Sequence, residues 1–143
     1  MPSRPATVTY DRVAIPVLWG EIGMIGDFEV RPWGSWHVLD ESDGYKVKRI
    51  EVRAGQRLSY QTHEHRSELW AVVSGTATCV VEGQTLLART GESVEVPIGV
   101  AHRIANLHGE DLVIIEIQRG AYTGEDDILR LEDDYGRCEA LQV

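Results

Sequence analysis

The sequence is short of cysteine, short of positive charge and without any long apolar run, and each shortage removes a class of protein. Two cysteines, Cys79 and Cys138, are not spaced as a metal pair and read as free thiols in a reducing compartment; Cys79 lies in an apolar strand as small core filler. No segment approaches the roughly 20 apolar residues that cross a bilayer, and the N-terminus lacks the order of a signal peptide. These absences predict a cytoplasmic protein with no membrane partner. Lys and Arg number 14 against 23 Asp and Glu, a net charge of −9, which speaks against a nucleic-acid partner because phosphate backbones demand a basic face. Ten of those acids but only three Arg follow residue 109, and they read as a solvated face. An anionic substrate would need a local cluster of Arg or Lys to overcome this general field. No Gly-rich strand-to-helix phosphate motif, internal repeat or low-complexity segment is present.

What is present is a series of short β-type runs. SWHVLD, YKVKRIEV, LSYQTH, ELWAVV, TATCVV, QTLLAR, SVEV, HRIANL and LVIIEI are rich in Val, Ile, Thr, Trp and Tyr, and glycines punctuate them at the spacing of sandwiches and barrels. The 143 residues suffice for one domain with a real core. Residues 1–30, with the Pro-broken apolar run VAIPVLWGEIGMI, read as an N-terminal arm, either an edge strand or a cover for a neighbouring subunit. Residues 31–143 read as the domain itself. Near the end, GEDDILRLEDDYGR has Ile128 and Leu131 three apart with acids leading, which predicts one or two helical turns closing one end of a β-barrel. Trp33, Trp36 and Trp70 read as core or barrel lining.

Two stretches carry chemistry. In the first, Gly55, Gln61, His63, Glu68 and Gly75 are spaced so that a strand, a bend and a returning strand bring Gln61, His63 and Glu68 to one point. In the second, Gly91, Pro97, Gly99, His102 and Asn106 make a turn that delivers His102 to the start of another strand. Two imidazoles, a carboxylate and an amide oxygen make a four-ligand site for one divalent ion, and this mixed set suits Zn, Mn, Fe, Co or Ni alike.

The paired stretches resemble the signature of the cupin superfamily, with Gln61 where cupins usually carry His. Over most of residues 31–137 the segments RPWGSWHVLD, YKVKRIEVRAGQRLSYQTHEHRSELWAVVSGTA, VPIGVAHRIAN and GEDDILRLEDDYGR resemble the type II mannose-6-phosphate isomerase domain. That domain commonly forms the C-terminal part of a bifunctional mannose-1-phosphate guanylyltransferase/mannose-6-phosphate isomerase. The resemblance implies an all-β cupin double-stranded β-helix, a jelly-roll barrel, with the short C-terminal helical segment. It also implies a divalent metal and interconversion of mannose 6-phosphate with fructose 6-phosphate, a step feeding GDP-mannose and polysaccharide synthesis. The family usually has His where Glu64 and Leu69 stand here, which bears on catalytic competence.

Aldose–ketose interconversion moves a proton between neighbouring carbons. His65 is the first candidate to carry it, because it is an imidazole whose alternation with His63 would put it at the rim of the site if the strand continued, and Glu64 is the second. Arg57, Arg66 and Arg103 beside the motifs, and Lys48 with Lys46 on the preceding strand, are candidates for the substrate phosphate. Competing readings are a non-catalytic cupin module that binds a sugar phosphate or sugar nucleotide or stabilises a partner enzyme, and an iron oxygenase. A homodimer is expected, since open sheet edges need covering, and a separate guanylyltransferase is a candidate partner.

Overall fold

Alternation with period two runs through the chain and becomes eleven strands in a computed structural model that describes residues 26–138. They are β1 (Phe28–Arg31), β2 (Gly34–Ser42), β3 (Tyr45–Val52), β4 (Tyr60–Thr62), β5 (Arg66–Ser74), β6 (Thr76–Val81), β7 (Gln84–Arg89), β8 (Ser93–Val96), β9 (His102–Ala105), β10 (Leu112–Gly120) and β11 (Leu129–Glu132). Most of the N-terminal arm lies outside the described residues; Phe28–Val30 at its end belong to β1, an edge strand. Among the described residues no helix is long and apolar enough to cross a membrane.

The strands form two sheets, one ordered β1-β2-β3-β10-β5-β8 and the other β11-β4-β9-β6-β7. All described pairings are antiparallel. The inner faces share one core, with Trp36, Ile50, Val52, Trp70, Val72, Leu112 and Ile114 from the first sheet against Ala77, Cys79, Ala88 and Ile104 from the second. Burial pushes the Cys79 thiol up to about 12, so it is an inert part of that core.

Two expectations about the architecture are corrected. The sheets do not close into a barrel: each keeps its own pair of edge strands, β1 and β8 in one, β11 and β7 in the other. The C-terminal helical segment is absent, and no helix occurs among the described residues. Leu129–Glu132 is instead strand β11, in which Leu129 stands opposite Thr62 and Arg130 opposite Gln61. One i, i+3 apolar pair is weak helical evidence, and β4 offered an unpaired edge whose backbone groups needed partners. Asp127, just before β11, adds a tie of its own, since its carboxylate accepts from the amides of Glu64 (2.8 Å) and His65 (2.9 Å).

Candidate metal centre

Strand alternation decides which side chains reach the interior. On β5 the buried residues are Arg66, Glu68, Trp70 and Val72, so Glu68 enters between an arginine and a tryptophan. His63 lies just past the end of β4 in the bend before β5, and His102 opens β9 directly across the ladder from Gln61. The turn between Pro97 and His102 depends on Gly99, whose φ of +79° is a left-handed value that side chains resist. Its amide donates to His63 O at 3.0 Å, tying the two sequence stretches together. Gly120 faces Arg66 in the β10–β5 ladder, and a Cβ there would meet His65 O at 2.0 Å, so only glycine lets the strands approach at this point.

His63, Glu68 and His102 converge in the interior, with ligand-type atoms all within 4.8 Å of one another. Glu68 Oε2 is 3.0 Å from His63 Nε2, and Glu68 Oε1 is 3.7 Å from His102 Nε2. The outer ring nitrogens orient the imidazoles: His63 Nδ1 lies 2.7 Å from Asp127 O, and His102 Nδ1 lies 2.8 Å from Val100 O. Donation to a carbonyl puts the proton on Nδ1 and turns the Nε2 lone pair inward, the arrangement metal-bound histidines use. His102 Nε2 is buried with no hydrogen-bond partner, a vacant acceptor beside a carboxylate. An orphaned lone pair in such a donor set fits a cation.

Protonation states agree with that fit. Burial lowers His102, favouring the neutral ring that coordinates metals. Burial alone would raise the Glu68 carboxyl, but without a metal a protonated His63 donating to it, the charge of protonated His102 and the Arg66 guanidinium outweigh burial and hold Glu68 well below the ordinary carboxylate value; a bound cation would take the place of those ring protons. Gln61 reaches the same point, its Nε2 3.3 Å from His63 Nε2 while its Oε1 accepts from Ser59. Amide orientation is assigned by hydrogen bonding, and ligation would need the amide turned so that oxygen faces the histidines, with Ser59 Oγ then accepting. Arg66 sits against the cluster, 2.9 Å from Glu68 Oε2 and 3.2 Å from His63 Nε2.

The other candidates from the sequence divide sharply. Lys48 and Arg66 line an interior cavity beside the cluster, together with Gln61. Lys48 lies 2.7 Å from Glu125, and Lys46 next to it is 3.1 Å from the same carboxylate. Arg57 and Arg103 do not line that cavity: Arg57 is paired with Asp134, and Arg103 donates to Leu58 O and Glu132. His65 is 52% exposed and Glu64 86% exposed at the bend beyond β4. Only Glu64 of these two borders a cavity, a separate cleft shared with His63, Asp126 and Asp127. The strand ends at Thr62, so the alternation that would have brought His65 inward stops before it.

Sequence reasoning missed Glu116. It is buried on β10, accepts from Trp70 Nε1 (3.2 Å) and Gln118 Nε2 (2.8 Å), and lines the cavity. Burial first, then the charge of Glu68, pushes it up to about 8, so one of two neighbouring carboxyls is ionised and the other protonated at neutral pH. The signal was available: an acid in the apolar run LVIIEI, in phase with inward-facing Leu112 and Ile114.

The chain is 50% identical over 115 residues to the alginate biosynthesis protein AlgA of Pseudomonas aeruginosa, a match that covers 79% of this chain and 24% of that protein. It is 45% identical over 107 residues to a mannose-1-phosphate guanylyltransferase of Salmonella montevideo, covering 75% and 23% respectively. The chain thus spans about a quarter of the length of these relatives. Among solved structures, the cupin domain of Schizosaccharomyces pombe Cnp3 superposes with a TM-score of 0.58 at 16% identity, over 60% of this chain and 64% of that one, a likeness of fold alone. The fold is accordingly a double-stranded β-helix of cupin type, with open sheets. The family model described as mannose-6-phosphate isomerase C-terminal matches residues 27–133, and the chain belongs to that family.

Proposed function

We propose that the protein is a metal-dependent aldose–ketose isomerase that interconverts mannose 6-phosphate and fructose 6-phosphate. The observation that carries this reading is the buried His63, Glu68 and His102 cluster, in contact with Gln61 and Arg66, which also line a neighbouring cavity with more basic than acidic groups. His63, Glu68 and His102, with Gln61 as the fourth ligand, would hold one divalent ion. When bound, such an ion polarises the sugar oxygens as a Lewis acid and stabilises the negative charge that develops on them. Glu68 is the single anionic ligand of the set, so the centre keeps net positive charge toward substrate. The rest falls to the chain. Lys48 and Arg66 add positive charge to the cavity wall, Trp33 and Trp36 exclude water from one side, and Asp127 O fixes His63. His65 and Glu64 are the proposed proton carriers from their place in the sequence, and their exposure puts the weight of proof on them.

A coupled assay with mannose 6-phosphate on protein loaded in turn with Zn, Mn, Fe, Co and Ni tests the reading. Turnover with at least one ion is expected, and none with any ion would remove the isomerase.

The exposure of His65, which lines neither cavity, and of Glu64, which borders only the cleft apart from Lys48 and Arg66, favours a second reading, a cupin module that binds a sugar phosphate or sugar nucleotide without turning it over. Saturable binding of mannose 6-phosphate with no turnover would establish it. On either reading the surroundings we propose are cytoplasmic and concerned with GDP-mannose and polysaccharide synthesis, with a separate guanylyltransferase as a candidate partner. A homodimer fits the outer face of the six-stranded sheet, where Val47, Ile117 and Leu69 stand side by side in one rung. Sedimentation at a dimer's mass is the expected result.

A further inference from the structure

Three arginines to which the metal stretches do not point share the cavity beside the cluster. Its charged lining is Arg31, Lys48, Arg66, Arg130 and Arg137 against Glu116 and Glu125. This is an excess of positive charge inside a chain whose net charge is −9. Such a concentration against the overall field marks a place where an anion is received. Its geometry has two walls. On one, Arg130 is the ladder partner of Gln61, and directly opposed residues in antiparallel strands stand about 5 Å apart at Cβ. Arg137 is brought to the same wall by Cys138, whose thiol donates to Arg130 O (3.2 Å) and Leu131 O (3.0 Å). Asp133 braces Arg137 with contacts of 2.8 and 2.9 Å and is not part of the cavity lining. On the facing wall, Arg31 and Lys48 lie over the Trp36 ring, 6.0 and 3.9 Å from its centroid.

We propose that Arg130 and Arg137, with Arg31 and Lys48 across from them, form the subsite for a phosphate monoester dianion at the far end of a sugar whose reacting oxygens lie at the metal centre. A guanidinium fork matches phosphate oxygens two at a time; Arg130 offers that geometry on this wall, and Arg137, whose Nε and Nη2 are held by Asp133, adds fixed positive charge beside it. Arg57 and Arg103, nearer the metal residues in sequence, face Asp134 and Glu132 outside the cavity and take no part. The sugar half of this assignment rests on the isomerase reading; the anion half does not.

The test is calorimetric titration of the full chain with inorganic phosphate, and with mannose 6-phosphate against mannose, for wild type, Arg130→Gln, Arg130→Lys, Arg137→Gln and Arg57→Gln. Arg49→Gln, outward on β3, is the control. Wild type is expected to bind both phosphates and to bind mannose far more weakly. Arg130→Gln and Arg137→Gln should each weaken phosphate binding about tenfold or more, Arg130→Lys less, and Arg49→Gln not measurably. In the coupled assay the two glutamine variants should raise KM with kcat changed only a few fold. Wild-type phosphate affinity in both glutamine variants, or no phosphate binding by wild type, overturns the subsite, as does a loss confined to Arg57→Gln. Should Arg130→Gln fail to fold by circular dichroism, Arg137→Gln and Arg31→Gln carry the same comparison. Arginine-dependent phosphate binding without turnover by any metal-loaded form leaves the subsite standing and removes the isomerase reading.

Discussion

The inward-facing rows of β3, β10 and β5 change character along their length. At one end the rungs are Val52 beside Leu112, then Ile50, Ile114 and Val72 in line, all buried and apolar. Two residues further along every strand the same row reads Lys48, Glu116 and Trp70, then Lys46, Gln118 and Glu68, equally buried. Both halves pair antiparallel, with one register shift between Val113 and Ile114 at the apolar end, and the change in character comes from the side chains. The apolar end is held by removal of surface from water and tolerates any good packing. The charged end is held by mutual satisfaction. Trp70 Nε1 bridges Glu68 and Glu116, Gln118 supports Glu116, and Arg66 and Lys48 face carboxylates. Buried groups of that kind are costly unless each partner is present, and they persist where a ligand needs them.

Breaking the charged end should have the larger effect. Glu68→Ala removes the anionic ligand and leaves the buried Arg66 guanidinium without its carboxylate. We expect metal binding to be lost in titration calorimetry and stability in urea to fall by about 3 to 5 kcal/mol. Breaking the apolar end with Ile114→Ala should cost about 2 to 5 kcal/mol through the cavity it leaves, while the folded fraction keeps its metal affinity. The smallest effect sharpens the contrast rather than breaking it. Folded Glu116 is pushed up to about 8, whereas an unfolded glutamate sits near about 4.3. Between those values the folded chain keeps a proton that the unfolded chain releases, so this group lowers stability as pH rises from about 4.5 to 8 and adds no slope above that. With a chelator present, Glu116→Gln should flatten that window and raise stability at pH 8 by on the order of 2 kcal/mol, while Ile114→Ala should leave the slope unchanged. A matching slope in the Glu116→Gln protein would show that Glu116 titrates normally.

Much of this was readable beforehand, for reasons particular to each residue. Nine runs picked out by β-branched and aromatic content became β2 to β10, because alternation is a local property that survives folding. Gln61, His63, Glu68 and His102 were legible from spacing, since a ladder turns fixed offsets into one point in space. His65 was misplaced by the same logic, because β4 stops at Thr62 and period two does not carry through a bend. The tail was misread because Ile128 and Leu131 offered a helical spacing while the deciding factor, the open edge of β4, lay more than sixty residues away. Arg130 and Arg137 were passed over for the same reason.

The amino-acid sequence by itself determined which segments extend, which residues of each strand face inward, and which four side chains can meet, since these follow from local pattern and short spacing. Only the tertiary structure decided that the two sheets stay open, that the last segment pairs as a strand, and which arginines enter the cavity. Those outcomes depend on which unpaired edge and which buried charge a distant segment must satisfy, and that demand exists only once the sheets have assembled.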